Sequence, residues 1–194
     1  MTERISSRQL HEADGGDDWR VLTWGACAHF RTGSFGAGVA LVAAIGRLAD
    51  AEDHHPDVDL RSECVTVRLR THDVDRLSER DVALARRISA ASRELNLPAD
   101  PTAVQTISVT IDALGAPDVM PFWRAVLGYR RLGDEDLVAP HGRGPSFWSQ
   151  QVDAPRPLRN RVHVDISVPH DQAEARVVAA IAAGGHLVTD QFAP

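Results

Sequence analysis

Two stretches of this chain alternate strictly between apolar and polar residues: Val65-Thr-Val-Arg-Leu-Arg-Thr71 and Arg161-Val-His-Val-Asp-Ile-Ser-Val168. A period of two fits an extended strand with one face toward a core and the other toward water. In the first stretch Val65, Val67 and Leu69 take the core face. Helical spacing surrounds it. Phe35, Val39, Val42, Ile45 and Leu48 fall at intervals that predict one apolar helix face between Ser34 and about Glu52. Ser78-Glu-Arg-Asp81 is a variant capping box, so a second helix starts there and carries Val82, Ala85, Ile88 and Ala91 inward. Residues 19–24 and 26–31 read as two short strands with a turn at Gly25.

Asn96-Leu-Pro-Ala-Asp-Pro-Thr102 interrupts this pattern with two prolines and small polar residues, a linker signature. It divides the 194 residues into domains at 1–98 and 103–194, each near the usual domain size. After the linker the pattern predicts a strand over 106–112, a helix over 117–127 ended by Gly128, and strands over 137–139 and 146–152. The second alternating strand comes next, followed by a helix over 171–183 closed by Gly184-Gly185, and a strand beginning at 187–189. Strand, helix and strands, then strand, helix and strand, make a weak internal repeat at roughly 55 residues.

Composition removes several function classes. All 21 basic residues are arginine, so Schiff-base, P-loop and general-base lysine chemistry are excluded. A GC-rich genome accounts for that bias without chemistry. The net charge is -6 with no basic block, so no nucleic-acid partner is expected. No apolar run approaches the roughly 20 residues that span a bilayer, and residues 1–18 lack the apolar segment of a secretory signal. Cys27 and Cys64 are too few for a disulfide framework. A cytoplasmic protein with no membrane partner is the expectation.

The first half holds the informative chemistry. Asp53-His54-His55-Pro56-Asp57 lies between helix and strand, and Thr71-His72-Asp73 ends that strand. Alternation puts His72 on the polar face with Thr66, Arg68 and Arg70. Imidazole titrates at about 6.5, so three histidines presented from two adjacent loop or strand-end positions suit a reaction needing both an acid and a base near neutral pH. His54 and His55 are sequence neighbours and diverge, and no cysteine spacing accompanies them, so no metal is expected here. Asp81 is accounted for by the capping box alone.

The run DHHPDV followed by VTVRLRTHDVDRLSERDVALA resembles pterin-4a-carbinolamine dehydratase. Asp50, His54, His55, Pro56, Thr71, His72, Leu77, Ser78 and Asp81 fall on that family's pattern, with Trp19, Phe30 and Phe35 at its upstream aromatic positions. The likeness covers about residues 17–95. It implies an α+β domain with a four-stranded antiparallel sheet backed by helices, often assembled as a homo-oligomer. It also implies dehydration of 4a-hydroxytetrahydrobiopterin to quinonoid dihydrobiopterin and water, in support of tetrahydropterin recycling by aromatic amino-acid hydroxylases. The pterin is then the substrate, and no cofactor is needed. By position His54, His55 and His72 form the acid/base group. Asp53, Arg70, Thr71 and Asp73 line the pterin site, and Asp50, Pro56, Asp57 and Asp81 support it. Which histidine is acid and which is base stays open. Val58 stands where some members have an aromatic residue, and Arg70 where animal members have a small one. Both departures bear on the pterin side chain more than on the dehydration.

The second half resembles a glyoxalase-like, or vicinal-oxygen-chelate, domain. Ile111-Asp112, Phe122-Trp123 and Val126-Leu-Gly-Tyr129 match the opening of one βαβββ unit, and Asn160-Arg-Val-His-Val-Asp-Ile166 with Gly184-Gly185 the start of a second. Two full units need roughly 110–120 residues beside ordinary domain sizes, so the expectation is an incomplete fold. His163 occupies a metal-ligand position, but its first-unit counterpart is Ser108, a poor ligand, and His163 reads as an ordinary strand residue. Two alternatives to the dehydratase follow: a non-catalytic dimerisation or ligand-binding protein, and a metal-dependent lyase or dioxygenase in the second domain.

Overall fold

The computed structural model describes residues 5–13, 15–23, 25–71, 77–114, 116–133, 136–152 and 162–188. The chain forms two compact units, one from residues 1–104 with 168–194 and one from residues 105–167.

The first unit is built on a four-stranded antiparallel sheet with strands β1 (Trp19–Leu22), β2 (Gly25–Arg31), β3 (Asp57–Leu60) and β4 (Cys64–Leu69), in the order β1-β2-β4-β3. Before the sheet comes a five-residue helix α1 (Ser7–His11) that the sequence pattern did not reveal. Helix α2 (Phe35–Glu52) begins at the Ser34 N-cap, and α3 (Glu79–Glu94) at the Ser78 capping box. Alternation along β4 puts Val65, Val67 and Leu69 inward as expected. They join Trp19, Ala28, Phe30, Leu41, Ile45, Leu84 and Ile88 in one core. Trp19 meets Phe30 edge to face at 6.5 Å, and its indole N–H donates to Ser89 Oγ at 3.1 Å, so its single polar atom is satisfied inside the core.

Helix α2 turns only part of its expected apolar face inward: Ile45 is buried, and Val42 and Leu48 pack against the core. Gly38, Leu41 and Ala49 are buried as well, whereas Phe35 and Val39 stand exposed. A Cβ on Gly38 would come within 2.4 Å of Leu60 Cδ1, so that position has no room for a side chain. The proline-rich segment after α3 is not a free tether. Arg31 N–H donates to the Pro98 carbonyl at 2.9 Å, and Asp100 N–H donates to the His29 carbonyl at 2.7 Å. Arg31 also pairs with the Asp100 carboxylate, and Val104 is buried beside Leu22 and Cys27.

In the second unit β5 (Thr106–Ala113), α4 (Ala116–Leu127), β6 (Arg130–Leu132), β7 (Asp136–Val138) and β8 (Ser146–Gln151) make one complete βαβββ succession. A further strand β9 (Val162–Ser167) follows. The sheet order is β6-β7-β8-β5-β9, with β5 parallel to β8 and antiparallel to β9. Trp123 of α4 stacks on Phe147 of β8 at 6.1 Å, and Tyr129 meets the same ring edge-on at 5.9 Å. The helix expected over 171–183 is present as α5 (Ala173–Ala182), within the residues that belong to the first unit, and none of its residues is buried. The strand expected at 187–189 is not found: Leu187 and Val188 are exposed and irregular, and Thr189 lies outside the described residues. Among the described residues no helix is long and apolar enough to cross a membrane.

Candidate active site

The site forms where the end of α2 meets the start of α3. Helix α2 closes on Asp53, whose backbone is left-handed (φ 47°, ψ 43°). Such a residue ends a helix by turning the chain sharply. Arg80 secures the turn from the first turn of α3: its guanidinium donates to the Asp53 carbonyl and, at 3.3 Å, to the Glu52 carbonyl. These are carbonyls left without partners at a helix end, where a cation is also favoured. Arg87 pairs with the Glu52 carboxylate two helical turns further on. The sequence pattern did not reveal Arg80. Its only signal is an arginine two residues after an N-cap.

The turn sends the two adjacent histidines in opposite directions. His54 enters the interior and is 6 % exposed, with its backbone N–H donating to the Ala49 carbonyl at 3.1 Å. Its Nε2 lies 2.8 Å from Asp81 Oδ1. The other oxygen of Asp81 accepts from Thr71 Oγ1 at 2.6 Å and from the Ser78 N–H at 2.8 Å. Thr71 Oγ1 and Ser78 Oγ are themselves 2.7 Å apart. All four residues are buried. A buried carboxylate surrounded by donors acts as an acceptor only. Nε2 of His54 therefore carries the hydrogen toward Asp81, and in the neutral ring Nδ1 holds the lone pair. Asp81 is thus more than a cap: Oδ2 closes the capping box while Oδ1 fixes an imidazole.

His55 points outward. Its side chain is 62 % exposed, and its Nε2 lies 3.2 Å from Asp50 Oδ1, also at the surface. Pro56 is half-buried between His55 and β3. Asp57 opens β3 opposite Arg68 of β4 and accepts from its Nε at 3.1 Å and its Nη2 at 2.6 Å. Arg70 is half-buried at the end of β4. Thr71 continues the inward alternation of β4, and that is how its hydroxyl meets Asp81. His72 and Asp73 lie outside the described residues. The structure thus gathers His54, Thr71 and Asp81 into one hydrogen-bonded group. His55 and Asp50 form an exposed pair on the same turn, and Asp57 is held by Arg68.

In the second unit His163 of β9 is opposite Thr110 of β5, and Ser108 is opposite Asp165. Ser108 Oγ lies 2.8 Å from Ser146 Oγ, and Thr110 Oγ1 donates to Asp165 Oδ2 at 2.6 Å. Among the described residues no three His, Cys, Asp or Glu side chains converge as a metal site.

Comparison with known proteins gives a family match in each half of the chain. Residues 1–91 match the family model described as pterin 4 alpha carbinolamine dehydratase, and residues 108–194 match the one described as a glyoxalase-like domain. A protein of Nocardia farcinica, provisionally named pterin-4-alpha-carbinolamine dehydratase, is 43 % identical over 93 residues, which are 47 % of this chain and 98 % of the relative. One of Chloroflexus aurantiacus with the same provisional name is 41 % identical over 68 residues, 35 % of this chain and 73 % of the relative. A solved structure of a transcriptional coactivator/pterin dehydratase from Brucella melitensis aligns at 23 % identity and a TM-score of 0.42, over 46 % of this chain and 98 % of its own.

Proposed function

The chain belongs to the pterin-4a-carbinolamine dehydratase family, and on that premise we propose that its first unit dehydrates 4a-hydroxytetrahydrobiopterin in the cytoplasm. The product is quinonoid dihydrobiopterin, returned to the tetrahydropterin pool of an aromatic amino-acid hydroxylase. The C4a–O bond breaks, the departing hydroxyl takes a proton and leaves as water, and a ring nitrogen gives up its proton. No electrons are gained or lost overall, so two proton-transfer groups suffice. Such groups typically contribute about 10²–10⁴-fold each.

Unequal access divides the roles. A proton donor must touch the reacting oxygen. His55 is the open imidazole of the pair, with Asp50 beside it, and it supplies the proton to the leaving hydroxyl. His54, fixed by Asp81, holds the turn that aims His55 and so acts as a positioning residue. His72, which the family resemblance places at the end of the same strand, takes the ring proton. Asp53, Arg70 and Asp73 line the pterin, whereas Thr71, expected there from the family resemblance, is buried against Asp81 and supports the site from within. The observation that carries this reading is the buried group His54–Asp81–Thr71 under an exposed His55.

The test supplies purified protein with 4a-carbinolamine generated by a hydroxylase at mildly alkaline pH and follows its decay. Wild type accelerates the decay, and His55→Ala loses most of the acceleration. If wild type does no better than buffer, the dehydratase reading is wrong.

A further inference from the structure

Strand β9 lies at the edge of the second unit's sheet, and among the described residues it pairs with β5 alone. Its other edge therefore offers backbone N–H and C=O groups to another strand. Val162, Val164 and Ile166 stand on one face and are 53 %, 56 % and 46 % exposed. His163 and Asp165 stand on the other face. Within β9 there is no proline, a residue that commonly blunts such an edge.

We propose that β9 pairs antiparallel with β9 of a second copy of this chain, about a twofold axis through Val164. Within Val162–Ser167 that register is the one that sets opposite charges against each other. Centred on Val164, each Val162 meets the partner's Ile166, and the two copies of Val164 meet each other. Each His163 then stands opposite the partner's Asp165, giving two opposite-charge pairs on protonation of the imidazoles. Centring the axis on Asp165 sets carboxylate against carboxylate, and centring it on His163 sets imidazole against imidazole. A half-step shift puts the polar residues opposite valines. Asp165 is already braced for this position, because Thr110 Oγ1 holds its Oδ2 and leaves Oδ1 on the His163 side, 3.8 Å from Nε2. Directly opposed side chains in an antiparallel pair interact, and like charges there destabilise. An isologous contact of this kind closes after two copies.

Cross-linking of the full chain tests the register. Val164→Cys puts two thiols opposite each other at the axis, within disulfide reach. Two copies of Val162→Cys would lie four residues apart along the strands, about 13 Å, beyond that reach. Under mild oxidation Val164→Cys yields a covalent dimer on a non-reducing gel, at least about tenfold above both Val162→Cys and the unaltered chain with its native Cys27 and Cys64. Adding His163→Asp to Val164→Cys lowers the yield about tenfold, because both charge pairs become repulsive. Adding His163→Arg leaves the yield high. Equal cross-linking at residues 162 and 164, no dimer above the unaltered chain, or indifference to His163→Asp would each overturn the proposal.

Discussion

His54 Nε2 and Asp81 Oδ1 are 2.8 Å apart, although 27 residues separate them in the chain. The contact ties the end of one helix to the start of the next, and it lies where water is excluded. Losing Asp81 would strand the donors of His54, Thr71 and Ser78 together. Asp81→Ala should therefore destabilise the first unit by about 3 kcal/mol. Asp50→Ala, which removes an exposed partner of His55, should stay within about 0.5 kcal/mol. Urea unfolding of both variants measures the difference, and equal midpoints would refute the central place given to Asp81.

The two histidines should fail in different ways. His55→Ala keeps wild-type stability and loses turnover by about 10²–10⁴-fold. His54→Ala loses both, because it opens a gap beside a buried carboxylate. Unfolding curves set beside carbinolamine decay rates separate the two cases. A His55→Ala variant with undiminished turnover would remove His55 from the chemistry.

The cysteines should report the packing of β2. Cys27 is buried, and burial pushes its thiol up to about 11. Only thiolate reacts readily. Cys64 is half-buried at the start of β4. In the native protein near pH 8 a thiol reagent should label Cys64 and leave Cys27 untouched, and both should label in denaturant. Mass spectrometry of the labelled peptides gives the result.

Acid should weaken the first unit in part through His29. Burial, aided by Arg31 and opposed by Asp100, lowers this imidazole below its ordinary value. The unfolded chain then binds more protons than the folded one, so stability falls as pH drops below about 6.5. His29→Gln, which can still bond Thr66 where Nδ1 does now at 2.9 Å, should shallow that decline. Burial lowers His11 in the same direction, so the decline should shrink without vanishing. Denaturant midpoints between pH 7.5 and 5 test this, and parallel profiles for wild type and variant would contradict it.

Local patterns carried much of the architecture. The alternation of β4 and the Ser78–Asp81 capping box both lie within a few residues, where periodicity and spacing act directly. The inward face of α2 was legible in part: Val42, Ile45 and Leu48 marked it, but Gly38, which close approach to Leu60 requires, carries no apolar signal. The adjacent His54 and His55 marked the turn that follows α2. Their adjacency could not show which ring goes inward, because that depends on the left-handed backbone at Asp53 and on Arg80 reaching back across 27 residues. The second role of Asp81 was hidden for the same reason, since a capping carboxylate looks complete in sequence. Leu187 and Val188 carried strand-like residue types without a sheet neighbour to pair with among the described residues.

The docked segment after α3 sets where the first unit can be cut. Composition favours a break at Pro98, yet residues 98–100 supply a carbonyl, an N–H and a carboxylate to the end of β2. Scissors placed at Pro98 would take the carboxylate from Arg31 and the N–H donor from the His29 carbonyl, and uncover Leu22 and Cys27 where Val104 now sits. Excising this domain for grafting or separate expression should keep Val104 on its side of the cut.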